Sequence, residues 1–194
     1  MVVTFDDAEH VYRDEHGVVL PSITQMLTKA GYVDDAWFTP QSRERGSKVH
    51  KLTELYDLGA LDPRRLSDEY LDYQGWLNAH AAATTALRPV WHDIEVYTGH
   101  PRYRFAGRPD RNGVAWEKPT CMDIKSGVLC ASHAVQTALQ VILLRAQPRY
   151  AGVRNEDWQR LALYLQGNGK YKLVQHHNVR DFDRAMEVIR TCAG

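Results

Sequence analysis

Two periodicities divide the chain. Up to about residue 88 the apolar positions recur mostly at helical spacing, and past Pro89 short alternating runs take over. Residues 2–12 alternate weakly and run on to DEHG, which predicts a short hairpin leading to the LPS tripeptide. Ser22 is placed to cap a helix over 23–30. A second helix is expected over 43–58, with Val49, Leu52, Leu55 and Tyr56 on one face and Gly59 stopping it. A third, over 67–85, carries Tyr70, Leu71, Trp76 and Leu77.

Beyond Pro89 the runs WHDIEVY (91–97) and the stretch 103–109 read as strands, followed by a turn at Arg111-Asn112-Gly113 and a strand over 121–125. Residues 132–146 return to helical spacing, with Val135, Leu139, Ile142 and Leu143 facing inward. Two more strands, 160–166 and 171–176, flank GNGK, a hairpin signal, and a helix over 179–191 closes the chain. This order predicts an α/β fold with a central mixed β-sheet flanked by helices. It is read as one domain over 1–194, with a mostly helical part to residue 88 and a sheet core over 89–194.

Composition narrows the function classes. Hydrophobic residues make up 44% and charged residues 25%, as in a soluble globular protein. The acidic N-terminus MVVTFDDAEH does not resemble a secretory leader, and the apolar stretch at 139–144 is too short to span a bilayer. A cytoplasmic protein with no membrane partner is expected. Three cysteines (Cys121, Cys130 and Cys192) form no CxxC pair, which excludes a disulfide framework and a four-cysteine iron–sulfur cluster. The net charge is zero, yet Arg43, Arg45, Lys48 and Lys51 cluster, as do Arg102, Arg104 and Arg108. An acidic metal site can mask such a basic groove in the sum.

The candidate chemistry lies in FAGRPDRNG and CMDIKSG. Residues i and i+2 of a strand share a face, so Asp123 and Lys125 project together. If the two strands pair as a hairpin, Asp110 lies at the same edge. Two carboxylates and an ammonium on one patch are what phosphodiester hydrolysis with Mg²⁺ or Mn²⁺ requires. The oxygens hold the hard cation, and the lysine orients the attacking water or offsets charge in the transition state.

On these segments the chain resembles the PD-(D/E)xK nuclease superfamily, and within it the RecB-like and phage-type exonucleases. The resemblance implies a restriction-endonuclease-like core. It rests on Arg45-Gly46-Ser47-Lys48-Val49-His50 for an RGxxVH helix, on Asp110 and Asp123 for the two metal-binding acids, and on Lys125 for the catalytic lysine. It further implies metal roles for His50, Glu95 and the Ile124 carbonyl, and catalytic parts for Glu95 and Gln136. Gln136 matches the glutamine of a QxxxY motif, whereas Gln140 stands in place of its tyrosine. Glu54, one turn beyond His50, and His133 rank below these. Of the tryptophans, Trp116 in GVAWEKPT is a candidate for base stacking beside the site, while Trp76, Trp91 and Trp158 are expected in the core.

The implied activity is a Mg²⁺- or Mn²⁺-dependent deoxyribonuclease, an exonuclease of phage or bacterial recombination or repair acting on linear DNA ends, single- or double-stranded. No iron–sulfur cluster is expected. The resemblance also suggests a single-strand-annealing recombination protein as partner and a homo-oligomer as a route to processivity. A phage-encoded protein of this kind would work in the host cytoplasm. The rival readings are an endonuclease, a catalytically silent DNA-binding module of the same fold, and an interaction protein with a chance DxK strand. No GxSxG, GxxxxGK[ST] or HExxH sequence supports another hydrolase chemistry.

Overall fold

The computed structural model describes residues 1–33 and 39–192. Its N-terminal segment is a three-stranded antiparallel meander of β1 (Val3–Asp6), β2 (Val11–Asp14) and β3 (Val19–Leu20). The DEHG segment therefore turns between the second and third strands rather than ending a hairpin. Asp14 makes that turn by accepting the backbone N–H groups of His16 and Val18 at 2.9 and 2.8 Å.

Helix α1 (Ile23–Lys29) begins at Ser22 as expected, and the Ser22 and Gln25 side chains cap it reciprocally. Helix α2 (Pro40–Asp57) starts three residues before the expected Arg43, because Thr39 caps it and Pro40 sits at its first position, where no N–H is needed. The expected third helix is split. A 3₁₀ segment at Asp68–Tyr73 precedes α3 (Gln74–Leu87), which buries Leu77, Ala79, Ala83 and Leu87.

The central sheet has five strands: β4 (Val90–Ile94), β7 (Arg111–Ala115), β8 (Lys118–Lys125), β9 (Gln159–Leu165) and β10 (Tyr171–Gln175). Their order is β10-β9-β8-β7-β4, with β8 and β9 parallel and every other pair antiparallel. This is the expected mixed sheet. Helix α4 (Ser132–Arg145) makes the crossover that a parallel pair demands. With α1 and α5 (Arg180–Cys192) it packs on the face that carries Cys121, while α2 and α3 pack on the face that carries Met122 and Ile124. Covered on both faces, the middle of β8 is buried without a break from Thr120 to Ile124.

Two expectations fail around the site. Arg111, Asn112 and Gly113 are strand, not turn, and the reversal falls at Trp116 and Glu117, whose φ of 48° and 63° make the tight left-handed pair of a two-residue hairpin loop. Gly113 serves close packing instead: a Cβ there would lie 2.1 Å from the Val90 carbonyl oxygen, opposite the bulge between Trp91 and Asp93. The strand expected over 91–97 breaks at Glu95, whose φ is 54° and whose N–H donates to the Asp110 carbonyl at 3.0 Å. The chain resumes as β5 (Thr98–His100), which pairs with β6 (Phe105–Gly107) in a separate two-stranded ribbon. No described helix is long and apolar enough to cross a membrane.

Candidate functional site

The antiparallel register of β7 and β8 places Arg111 opposite Met122. Continued by one step, it sets Asp110 opposite Asp123, so the acids meet at one end of the hairpin. Asp110 Oδ2 accepts the Ile124 N–H at 2.5 Å. The left-handed turn at Glu95 brings its carboxylate to the same place, and α2 supplies His50 from the side. His50 Nδ1 lies 3.1 Å from Glu95 Oε1 and 3.6 Å from Asp110 Oδ1. One donor atom from each of His50, Glu95 and Asp110 falls within 4.8 Å of the others. A nitrogen and two carboxylates at that spacing form a donor set suited to Mg²⁺ or Mn²⁺.

Asp123 stands beside this triad, held differently. Its Oδ1 accepts hydrogen bonds from Gln136 Nε2 and Gln140 Nε2, both at 3.0 Å, and its Oδ2 lies 2.7 Å from Lys125 Nζ. Lys125 also donates to Gln136 Oε1 at 3.0 Å. A carboxylate this buried is tolerated because these partners offset a desolvation penalty of several kcal/mol. Among the described residues Oδ2 accepts no well-aligned hydrogen bond, and neither does Glu95 Oε2, although Arg108 Nε is 3.0 Å from it. Both oxygens face their cations through charge alone, which leaves lone pairs for a further positive ligand. The donor chemistry and these oxygens fit a divalent cation held by His50, Glu95 and Asp110, with Asp123 at its flank.

Titration behaviour follows from this crowding. Burial pushes the Asp110 carboxyl up to about 7, with Glu95 and Asp123 adding repulsion that His50 only partly offsets. For Asp123 burial also pushes upward, but the Lys125 ammonium and the Gln140 donor outweigh it and hold the carboxyl below its usual range. Burial opposes charging of His50, yet the Asp110 and Glu95 carboxylates raise its pKa to about 9. Arg108 and Arg111 beside Glu95, Lys125 beside Asp123 and the raised pKa of His50 all answer the crowding of these acids.

A buried ionic chain supports the cluster from behind. Arg111, fully buried, donates from Nε to Asp57 Oδ2 at 2.6 Å and from Nη1 to the Asp110 carbonyl at 2.7 Å, and its Nη1 is 3.3 Å from Glu95 Oε1. Asp57 also meets His80 Nε2 at 2.9 Å. Sequence reasoning missed this chain: Arg111 stood in an expected turn, and its partners Glu95 and Asp57 are 16 and 54 residues away.

All of His50, Glu95, Asp110, Asp123, Ile124, Lys125 and Gln136 come together. Ile124 does so through its N–H, which serves Asp110. Gln140, where the resemblance expected a tyrosine, is a buried ligand of Asp123. Glu54 lines the cleft but pairs with Lys51 at 3.1 Å. His133 bonds the Tyr164 hydroxyl at 2.6 Å and stands outside the His50–Glu95–Asp110 triad, though near enough to Asp123 for its charge to be felt there. Trp116 is not beside the site as expected, because it caps the far end of the β7–β8 hairpin, about 16 Å along the strand from Arg111. Trp76, Trp91 and Trp158 do pack against the cores. The cluster forms the floor of a cleft of about 890 Å³.

No family model matches the chain, and no curated protein does. A solved structure of LHK-Exo in complex with dAMP is similar to it at 12% identity over 90% of this chain and 86% of that one, with a TM-score of 0.38. So remote a likeness carries no weight, and the functional conclusion depends on the side chains themselves.

Proposed function

We propose that this protein is a Mg²⁺- or Mn²⁺-dependent nuclease that hydrolyses phosphodiester bonds in DNA, acting as an exonuclease on linear ends. The observation that carries the reading is the convergence of His50, Glu95 and Asp110 on one point, beside the Asp123–Lys125–Gln136 group, on the floor of an open cleft. Three of these residues would hold the cation, which when bound would polarise the phosphoryl oxygen and lower the pKa of a water. Asp123 and Gln136 fix the Lys125 ammonium, so that it meets the scissile phosphate with little reorganisation and offsets charge as the bond breaks. Gln140 keeps Asp123 turned toward that lysine. Arg108 and Lys51, which line the cleft, supply phosphate contacts. A role in phage or bacterial recombination or repair, a single-strand-annealing partner and a homo-oligomeric ring as the source of processivity extend the same reading.

The test is digestion of an end-labelled linear duplex, the matching single strand and a covalently closed circle, with Mg²⁺ or Mn²⁺. Loss of linear DNA with the circle spared, stopped by EDTA and by Lys125→Ala, is expected. Cutting of the circle would make the enzyme an endonuclease. Intact substrates with both metals would leave a DNA-binding module of the same architecture.

A further inference from the structure

The cleft has a second wall that metal chemistry does not use. The N-terminal meander and the segment after Glu95 line it with Phe5, His10, Tyr12 and Tyr97. Phe5 and Tyr97 stack with ring centroids 5.5 Å apart and an interplanar angle of 22°, and His10 meets Phe5 edge-on at 5.0 Å. Were this only a small core, the rings would be buried. Tyr12 is, with Val3, Leu20 and Ala106, but Tyr97 remains 37% exposed and His10 is exposed as well.

Arg108 joins this wall to the acids. Its guanidinium lies 5.5 Å over the Tyr97 ring while its Nε is 3.0 Å from Glu95 Oε2. Aromatic rings and a planar cation beside a phosphate-handling floor are the chemistry that receives a nucleobase. The cleft volume of about 890 Å³ has room for a nucleotide and its neighbour's phosphate.

Resting on the nuclease reading for the position of the phosphate, we propose that Phe5, His10, Tyr97 and Arg108 form a nucleobase subsite. It takes one unpaired base of the strand whose phosphate lies at His50, Glu95 and Asp110. A paired base stays stacked in its duplex and offers only its edges, so the subsite selects a single-stranded or frayed end. Stacking is indifferent to base identity, so the selection is for an unpaired base rather than for a sequence.

The experiment uses full-length protein carrying Lys125→Ala, so that DNA survives, with Ca²⁺ present. Fluorescence anisotropy compares a short labelled oligothymidylate with the same backbone built from abasic units. Binding of the base-bearing strand about tenfold tighter is expected, as is the loss of that difference on adding His10→Ala and Tyr97→Ala, because the abasic strand has no base to stack. Both substituted residues are exposed, and an unchanged thermal midpoint verifies the fold. Equal affinity for the two probes, no binding of either, or a triple variant that still discriminates would overturn the subsite. Wild-type protein that cleaves nothing while the discrimination persists would remove the nuclease reading and leave the subsite standing.

Discussion

Replacing Arg111 by methionine tests whether the buried ionic chain holds the site together. Methionine keeps much of the side-chain volume, so the effect is electrostatic rather than a cavity. Among the described residues Asp57, with its side chain 2% exposed, would keep His80 alone, and Glu95, 4% exposed, would keep His50 and Arg108. Removing one partner of a buried pair leaves an uncompensated charge, which costs about 3–5 kcal/mol. In a protein of this size about 1 kcal/mol moves the midpoint by 2–4 °C, so a fall of roughly 6–20 °C is expected in a calorimetric melt. Adding Asp57→Leu removes the stranded charge as well, and the double variant should recover part of the loss. The coupling in that cycle should exceed about 1 kcal/mol. A single variant that melts within about 1 kcal/mol of wild type, or a strictly additive double, would refute the reasoning.

Four shorter expectations accompany it. Lys125→Ala should lower cleavage by about 100-fold or more while sparing DNA binding, because only the bond-breaking step loses its preorganised cation; near-normal turnover would remove Lys125 from its role. Asp110→Asn and Glu95→Gln should each weaken Mn²⁺ binding measured by titration calorimetry, and unchanged affinity in both would undo the metal site. Gln140→Leu withdraws one of the two side-chain donors to Asp123 Oδ1 and should destabilise by about 1–3 kcal/mol, which a urea melt against wild type would register or fail to. His100 is buried and neutral, and burial lowers its pKa from 6.5 to about 4. The unfolded chain therefore takes up a proton first as pH falls. Its stabilising contribution is complete above about 6.5 and is lost between there and about 4, by at most about 3 kcal/mol. His100→Gln should flatten that part of the stability–pH curve, and an unchanged slope would contradict it.

Local pattern was a good guide wherever one segment carried its own signal. Ser22 declared a helix start, GNGK declared a hairpin, and the spacing of Val135, Leu139 and Leu143 declared the helix that makes the crossover. Asp123 and Lys125 were legible as a pair because strand geometry alone puts alternate residues on one face. The short-range errors lay where packing overrode propensity. Gly113 carries a turn residue's identity but serves the close approach of β4, and Glu95 breaks a strand that its neighbours favour.

Only the tertiary structure decided the rest, since it depends on groups that are distant in sequence yet share one low-dielectric space. It turned Arg111 from an expected turn residue into the buried link between Asp57 and Glu95, and made Gln140 a ligand of Asp123 despite its departure from the resembled motif. It removed Trp116 from the site, because hairpin register sets which end of a strand pair a residue occupies. It brought Phe5 from the first strand and His10 from the turn after it to the cleft that holds Asp110. The chemical character of the site was written in the sequence as residue types at short spacing. Its charge balance and second wall required the fold, because electrostatic and stacking partners are chosen by distance in space.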